Sequence, residues 1–171
     1  MRRMTIAAVS LVALVFAAPL GWAQPHDDKE RAELAQALKA GKISLQQGVT
    51  ASAKEGKPIS AKYEVEDGKL QLSVYTMKGD KFSEVIVDHK TGKVAKAEPI
   101  TKADDLTAAK AQSEAIAKAK RSLATAASEA VKENKGFRAV SVMPSLKEGH
   151  PVADVGLVKG TEWKTVSEKL D

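Results

Sequence analysis

Apolar residues recur along this 171-residue chain with two different periods. From residue 34 the spacing is helical: Leu34 and Leu38, then Leu45, Val49 and Ala53, a narrow stripe with charged residues elsewhere. From Ile59 onward the period becomes two, which predicts strands near Ile59 to Glu66, Lys69 to Lys78 and Lys81 to Asp88. Asp67-Gly68 and Gly79-Asp80 separate them, two-residue loops that tolerate positive φ and close tight hairpins. Loops of that length fix the register. Val65 faces Leu70, Tyr63 faces Leu72, Ala61 faces Val74, Val74 faces Val85 and Leu72 faces Val87, so one side of the sheet is continuously apolar and calls for a covering helix. Asp88-His89-Lys90-Thr91-Gly92 then reverses the chain into Lys93 to Glu98. Asp88 can accept from the N–H groups two and three residues on, and Gly92 supplies a left-handed residue. The turn alone accounts for those residue types without an ion or ligand.

The pattern occurs twice. Ser44-Leu45 and Ser122-Leu123, 78 positions apart, each open an alanine-bearing helical stretch that ends at Lys54-Glu55-Gly56-Lys57 and Lys132-Glu133-Asn134-Lys135. At that offset Leu38 matches Ile116, Ala53 matches Val131, and Ile59 to Val65 matches Phe137 to Met143. Ser44 and Ser122 suit N-caps, and Gly56 and Asn134 suit the left-handed residue after a helix. The second helical region, carrying Leu106, Ala109, Ile116, Leu123, Ala127 and Val131, reads as one stretch from Asp104 to Asn134. Its hairpin is expected to be longer, between Pro144 and Pro151, and the chain ends before a second Asp-x-x-Thr-Gly, so the second copy should lack a fourth strand. The expected fold is α+β: two units, residues 24–100 and 101–171, each a helix packed on an antiparallel sheet of three to four strands, arranged as two small similar domains or as one pseudo-symmetric pair.

The first 23 residues stand apart. Arg2 and Arg3 precede an apolar run from Ile6 to Ala18, with Gly21 and Ala23 small, as in a cleavable secretory signal. The run is broken at Pro19 and falls short of the roughly 20 apolar residues of a membrane span. A periplasmic or secreted protein with no stable membrane anchor after cleavage is expected. The chain has no cysteine, which excludes disulfides, thiolate metal sites, a cysteine nucleophile and a lipidated cysteine after the cleavage point. Losing two arginines and no acid leaves the mature chain at +3, with Lys and Glu interspersed and only seven aromatic residues, so nucleic acid is not an expected partner.

The order of helix, strand around Tyr63-Glu64-Val65, glycine hairpin, and Val85-Ile86-Val87-Asp88 followed by Thr91-Gly92-Lys93-Val94 resembles the PepSY domain, a cystatin-like fold. The resemblance is good over residues 42–98 and weaker over 120–171. It implies a domain found in propeptides of thermolysin-like metallopeptidases and in exported bacterial proteins, where it restrains a peptidase or binds a peptide partner. It marks no catalytic residues. No peptidase domain lies in this chain, so any inhibition would act in trans.

The predicted register also places Met77 opposite Phe82, with Tyr75 and Ile86 nearby, on the face away from the covering helix. If Gly160-Thr161 is a tight turn, Val158 lies opposite Trp163 in the same way. These six residues are the candidate partner-binding surface. Packing of the two copies against each other there, or of the leading helix over the same residues, is the favoured reading, and docking of an external peptide or protein is the competing one. Strand addition at a sheet edge is the companion docking mode.

Metal binding is not expected. After cleavage His26 would stand third from the amino terminus, but Pro25 has no amide N–H to lose to a square-planar copper site. His89 in a turn and His150 before Pro151 lack the convergent spacing of a ligand set and read as surface residues. Asp27-Asp28 and Asp104-Asp105 each precede a helical stretch, where negative charge complements the helix terminus. No nucleophile with a base, paired carboxylates or phosphate-cradling glycines stand out, and no cofactor is implied. The expectation is a non-enzymatic exported protein that binds a protein or peptide, with restraint of an extracytoplasmic peptidase as its most concrete form. A small-molecule or metal-ion binding module of the cell envelope is the alternative.

Overall fold

The computed structural model describes residues 28–171, so the expected signal segment, Asp27 and His26 lie outside the described residues. Over the described residues the fold is α+β: four helices and one seven-stranded antiparallel sheet in the order β4-β3-β2-β1-β5-β6-β7. Helix α1 (Asp28–Ala37) runs into a 3-10 turn and is followed by α2 (Leu45–Ser52), β1 (Lys57–Glu66), β2 (Lys69–Lys78), β3 (Lys81–Val87) and β4 (Val94–Pro99). The second half comprises α3 (Ala103–Lys118), α4 (Leu123–Glu133), β5 (Arg138–Lys147), β6 (His150–Lys159) and β7 (Glu162–Lys169). The sheets of the two halves are continuous: their first strands join, Ala61 pairing with Val142 and Lys62 with Ser141.

Turn chemistry and alternation set the hairpins as anticipated. Tyr63 pairs with Leu72, Ala61 with Val74, Val74 with Val85 and Leu72 with Val87. Asp88 accepts from the N–H groups of Lys90 and Thr91 at 2.9 and 2.7 Å, and Gly92 has a φ of 74°. Ser44 and Ser122 are both N-caps, accepting from the N–H groups of Gln47 and Thr125, and Gln47 closes a full capping box.

Several expectations need correction. Neither Gly56 nor Asn134 is left-handed, Asn134 having a φ of −115°. Gly56 is instead required by a close approach, since a Cβ there would stand 2.8 Å from the carbonyl oxygen of Met77. The stretch from Asp104 to Asn134 is two helices, because the N–H groups of Lys120 and Arg121 turn aside to the carbonyl of Leu170. The second hairpin is not longer: β5 and β6 continue through Pro144 and Pro151 to a tight turn at Glu148-Gly149. The strands therefore repeat at 81 positions, Ile59 matching Val140 rather than Phe137, because α4 is three residues longer than α2.

The helices divide between the two faces. Helices α2 and α4 lie side by side, with Gln46 Nε2 donating to the carbonyl of Ala127, on the face formed by Ala61, Tyr63, Leu72, Val74, Val85, Val142 and Val155. Gly48 of α2 seats directly on Leu72. The other face carries Ser60, Lys62, Ser73, Tyr75 and Ser141, and there α3 crosses β1, β5 and β6. Each leading helix thus reaches the first strand of the opposite half: Gln112 of α3 accepts from Ser60 of β1, while Leu34 of α1 lines a cleft with Ser141 of β5.

Candidate functional site

Strand pairing brings the expected outer-face residues together as two clusters. Met77 pairs with Phe82 on β2 and β3, with Tyr75 and Ile86 on the same face; Val158 pairs with Trp163 on β6 and β7. The face is not open to solvent throughout. Tyr75 is 4% and Val158 7% exposed, whereas Met77, Phe82, Ile86 and Trp163 are half-buried. The cause is α3. It lies across β1, β5 and β6, and its Gln112 bonds Ser60, the residue paired with Tyr75. What remains accessible is a strip of β2 and β3, namely Met77, Phe82, Glu84 and Ile86, bordered by the exposed Lys96 and Glu98 of β4.

Sequence reasoning did not find a cleft that lies outside this strip, between α1, β1 and β5. It has a volume of about 310 Å³ and opens between α1 and the point where β1 and β5 meet. Leu34, Val65, Val140 and Met143 give it apolar walls, and Glu30, Glu33, Glu64 and Lys62 give it charge. Lys62 and Glu64 pair at 2.6 Å. In sequence only the helical stripe through Leu34 pointed to this place, and that stripe did not reveal which sheet face α1 would meet.

Electrostatics follow from partial burial. Desolvation raises the Glu84 carboxyl above the usual carboxylate range, although the Ser73 hydroxyl donates to it and works in the opposite direction. Burial likewise raises the Tyr63 phenol, with the Arg138 guanidinium 5.0 Å from the ring centroid lowering it in part. Asp88 is held below its ordinary value by the N–H groups of Thr91 and Lys90. Asp171 is lowered by its hydrogen bond with His150, whose Nδ1 is 3.0 Å away.

His89 departs from the surface reading: it is half-buried, and its Nδ1 is buried without a hydrogen-bond partner. Among the described residues no group of three or more His, Asp or Glu side chains is placed to hold a metal ion. No described helix is long and apolar enough to cross a membrane.

No protein-family model matches this chain, and no curated protein does. One solved structure, a chain of Clostridium difficile 630 described as a candidate lipoprotein, is similar at 14% identity and a TM-score of 0.40, over 69% of this chain and 78% of that one.

Proposed function

We propose that this chain is an exported, non-enzymatic binding protein built from two PepSY-like units, and that it takes an extended segment of a protein or peptide partner. One observation carries the reading: Met77, Phe82 and Ile86, though half-buried, keep accessible surface on a sheet face whose neighbouring part is sealed by α3. Apolar side chains clustered on an otherwise polar strip gain by being covered. Lys96 and Glu98 at its border supply a polar rim. Trp163 adds a second anchor at the far side of the sheet. The reciprocal helix crossings support the two-unit reading, since each half repeats the same order of helices and three strands. Restraint of a peptidase in the periplasm or outside the cell is the most concrete form of this function.

The test is capture from an extracytoplasmic fraction with residues 24–171 as bait, beside Phe82→Ser and Ile86→Ser variants. A partner retained by the parent chain, lost by both variants, and lost without a change in melting temperature supports the reading. Equal capture by all three removes these residues from the site.

The cleft beside α1 favours a second reading, a small-molecule module. Its size and mixed lining suit a compact ligand with an apolar body and a cationic group facing Glu30, Glu33 and Glu64. Stabilisation by such a ligand, abolished by Leu34→Asp but not by Phe82→Ser, would select it.

A further inference from the structure

The two edges of the sheet are built differently. In the first half β3 is covered along its outer edge by β4, Glu84 pairing with Glu98 and Ile86 with Lys96. Its counterpart in the second half, β7, has no strand on its outer edge among the described residues. The backbone direction there is set by Leu170, whose N–H donates inward to the carbonyl of Pro151 at 2.9 Å. Along a strand these groups alternate, so Trp163, Thr165, Ser167 and Lys169 turn theirs outward. On β4 the corresponding positions include Ala97 and Pro99, and proline offers no N–H. Strand β7 carries no such block. One outward group is already engaged: Lys169 O accepts from Arg121 Nη1 at 2.6 Å, leaving a second lone pair.

The side chains of β7 are complementary to themselves. If two β7 strands meet antiparallel with Val166 opposite Val166, Lys164 stands opposite Glu168 and Glu168 opposite Lys164. Thr165 then stands opposite Ser167, and Trp163 opposite Lys169. All four outward-turned residues meet outward-turned residues, as a hydrogen-bonded ladder requires. Moving the centre to Lys164 or Glu168 puts like charges opposite each other, and moving it to Thr165 sets Glu162 against Glu168. Among the described residues neither Lys164 nor Glu168 has an ion-pair partner within the chain; Lys164 rests 4.1 Å from the centroid of the Phe137 ring. Val166, half-buried, would be covered by its own copy.

We propose that β7 is a self-association edge, and that a second copy of this chain pairs with it about a two-fold axis to continue the sheet. The axis is perpendicular to the sheet, like the one that relates β1 to β5 inside the chain, so α4 and its copy lie on the same face. Such an interface is isologous, and each charged contact occurs twice.

The test is sedimentation equilibrium of the chain from Gln24 onward, which holds every described residue, over micromolar to millimolar concentration at low and high salt. The expected result is a concentration-dependent dimer that weakens with salt. Lys164→Glu and Glu168→Lys, each alone, set like charges opposite at both ends and should weaken dimerisation by about tenfold or more. An equimolar mixture of the two variants restores complementary pairs and should dimerise as the parent does. Thr165→Pro, which removes an outward N–H without touching the ladder to β6, should abolish the dimer with little change in circular dichroism. A parent that stays monomeric overturns the proposal, as does a dimer indifferent to these substitutions or a mixture that fails to pair.

Discussion

Arg138 donates to the carbonyl oxygen of Leu38 at 2.9 Å, across 100 residues of sequence. The second half mirrors this contact: Lys57 Nζ donates to the carbonyl of Ile116 at 3.3 Å. In each case the first residue of one half's leading strand holds the end of the other half's leading helix. Arg138 does more than its counterpart, donating also to Ile43 O at 2.8 Å and lying over the Tyr63 ring. Tyr63 OH donates to the same Ile43 carbonyl. These clamps tie the leading helix of each half to the first strand of the other.

Removing the clamps should therefore cost unequal amounts. Arg138→Met strips charged hydrogen bonds from helix-terminal carbonyls and should destabilise the chain by about 2–3 kcal/mol, whereas Lys57→Met should cost about 1 kcal/mol. Urea unfolding measures both. A single transition that shifts as one, in either variant, is expected from reciprocal clamps; two separable transitions would show that the halves unfold independently.

Gly48 is a packing glycine. A Cβ there would come within 2.2 Å of Leu72 Cδ2, and Leu72 is fully buried between α2 and the sheet. Gly48→Ala should thus destabilise by about 1–3 kcal/mol in spite of alanine's better helix propensity. Leu72→Val in the same chain should recover part of the loss, which distinguishes overpacking from a backbone effect. Additive losses in the double variant would contradict that account.

Much of this fold was legible in the sequence, and the reasons are local. Asp67-Gly68, Gly79-Asp80 and Gly160-Thr161 each force a two-residue reversal, and a reversal of known length sets the register of every pair around it. Joining the halves was not legible, because only Ala61–Val142 and Lys62–Ser141 pair across the seam and alternation within a strand says nothing about which edges meet. The three-residue lengthening of α4 was masked by alanine-rich sequence in which neighbouring turns look alike. At the candidate surface the strand pairing was legible and the exposure was not. Met77–Phe82 and Val158–Trp163 follow from register, while the covering of Tyr75 depends on where α3 crosses, a tertiary fact with no counterpart in β2 itself.

Glu84 and Asp88 should give opposite pH signatures. Desolvation raises the folded pKa of Glu84 above its unfolded value, so the native state binds the extra proton. Its contribution favours folding below the ordinary carboxylate pKa, about 4.3, and is lost as pH rises through the folded value. Asp88, lowered by the N–H groups of Thr91 and Lys90, contributes stability above its ordinary pKa, about 3.9, and loses it as pH falls through the folded value. Glu84→Gln keeps an acceptor for Ser73 and removes the desolvated charge. Its stability relative to the parent chain should increase from acid to neutral pH, while that of Asp88→Asn should decrease. Chemical denaturation at a series of pH values would refute the assignment if both variants moved in one direction.

The differing exposure of four outer-face residues predicts a graded series of serine substitutions. Tyr75 is almost fully buried beside Ser60, the residue that Gln112 of α3 holds, so Tyr75→Ser should lose about 3–4 kcal/mol through its cavity. Val158, smaller and 7% exposed, should cost about 2 kcal/mol. Phe82 and Trp163 keep part of their surface in water already, and their replacement should cost less per unit of side-chain area than either buried residue. The ordering matters because it separates two roles that sequence placed together. If Phe82→Ser and Trp163→Ser unfold the chain as readily as Tyr75→Ser, all six residues are internal packing, and the accessible strip is not a docking surface. If they spare stability and Tyr75→Ser does not, the face divides into a sealed part under α3 and an available part on β2, β3 and β7, which is the division the proposed partner requires. Melting temperatures of the four variants, measured side by side at one pH and salt concentration, are sufficient to decide between these outcomes.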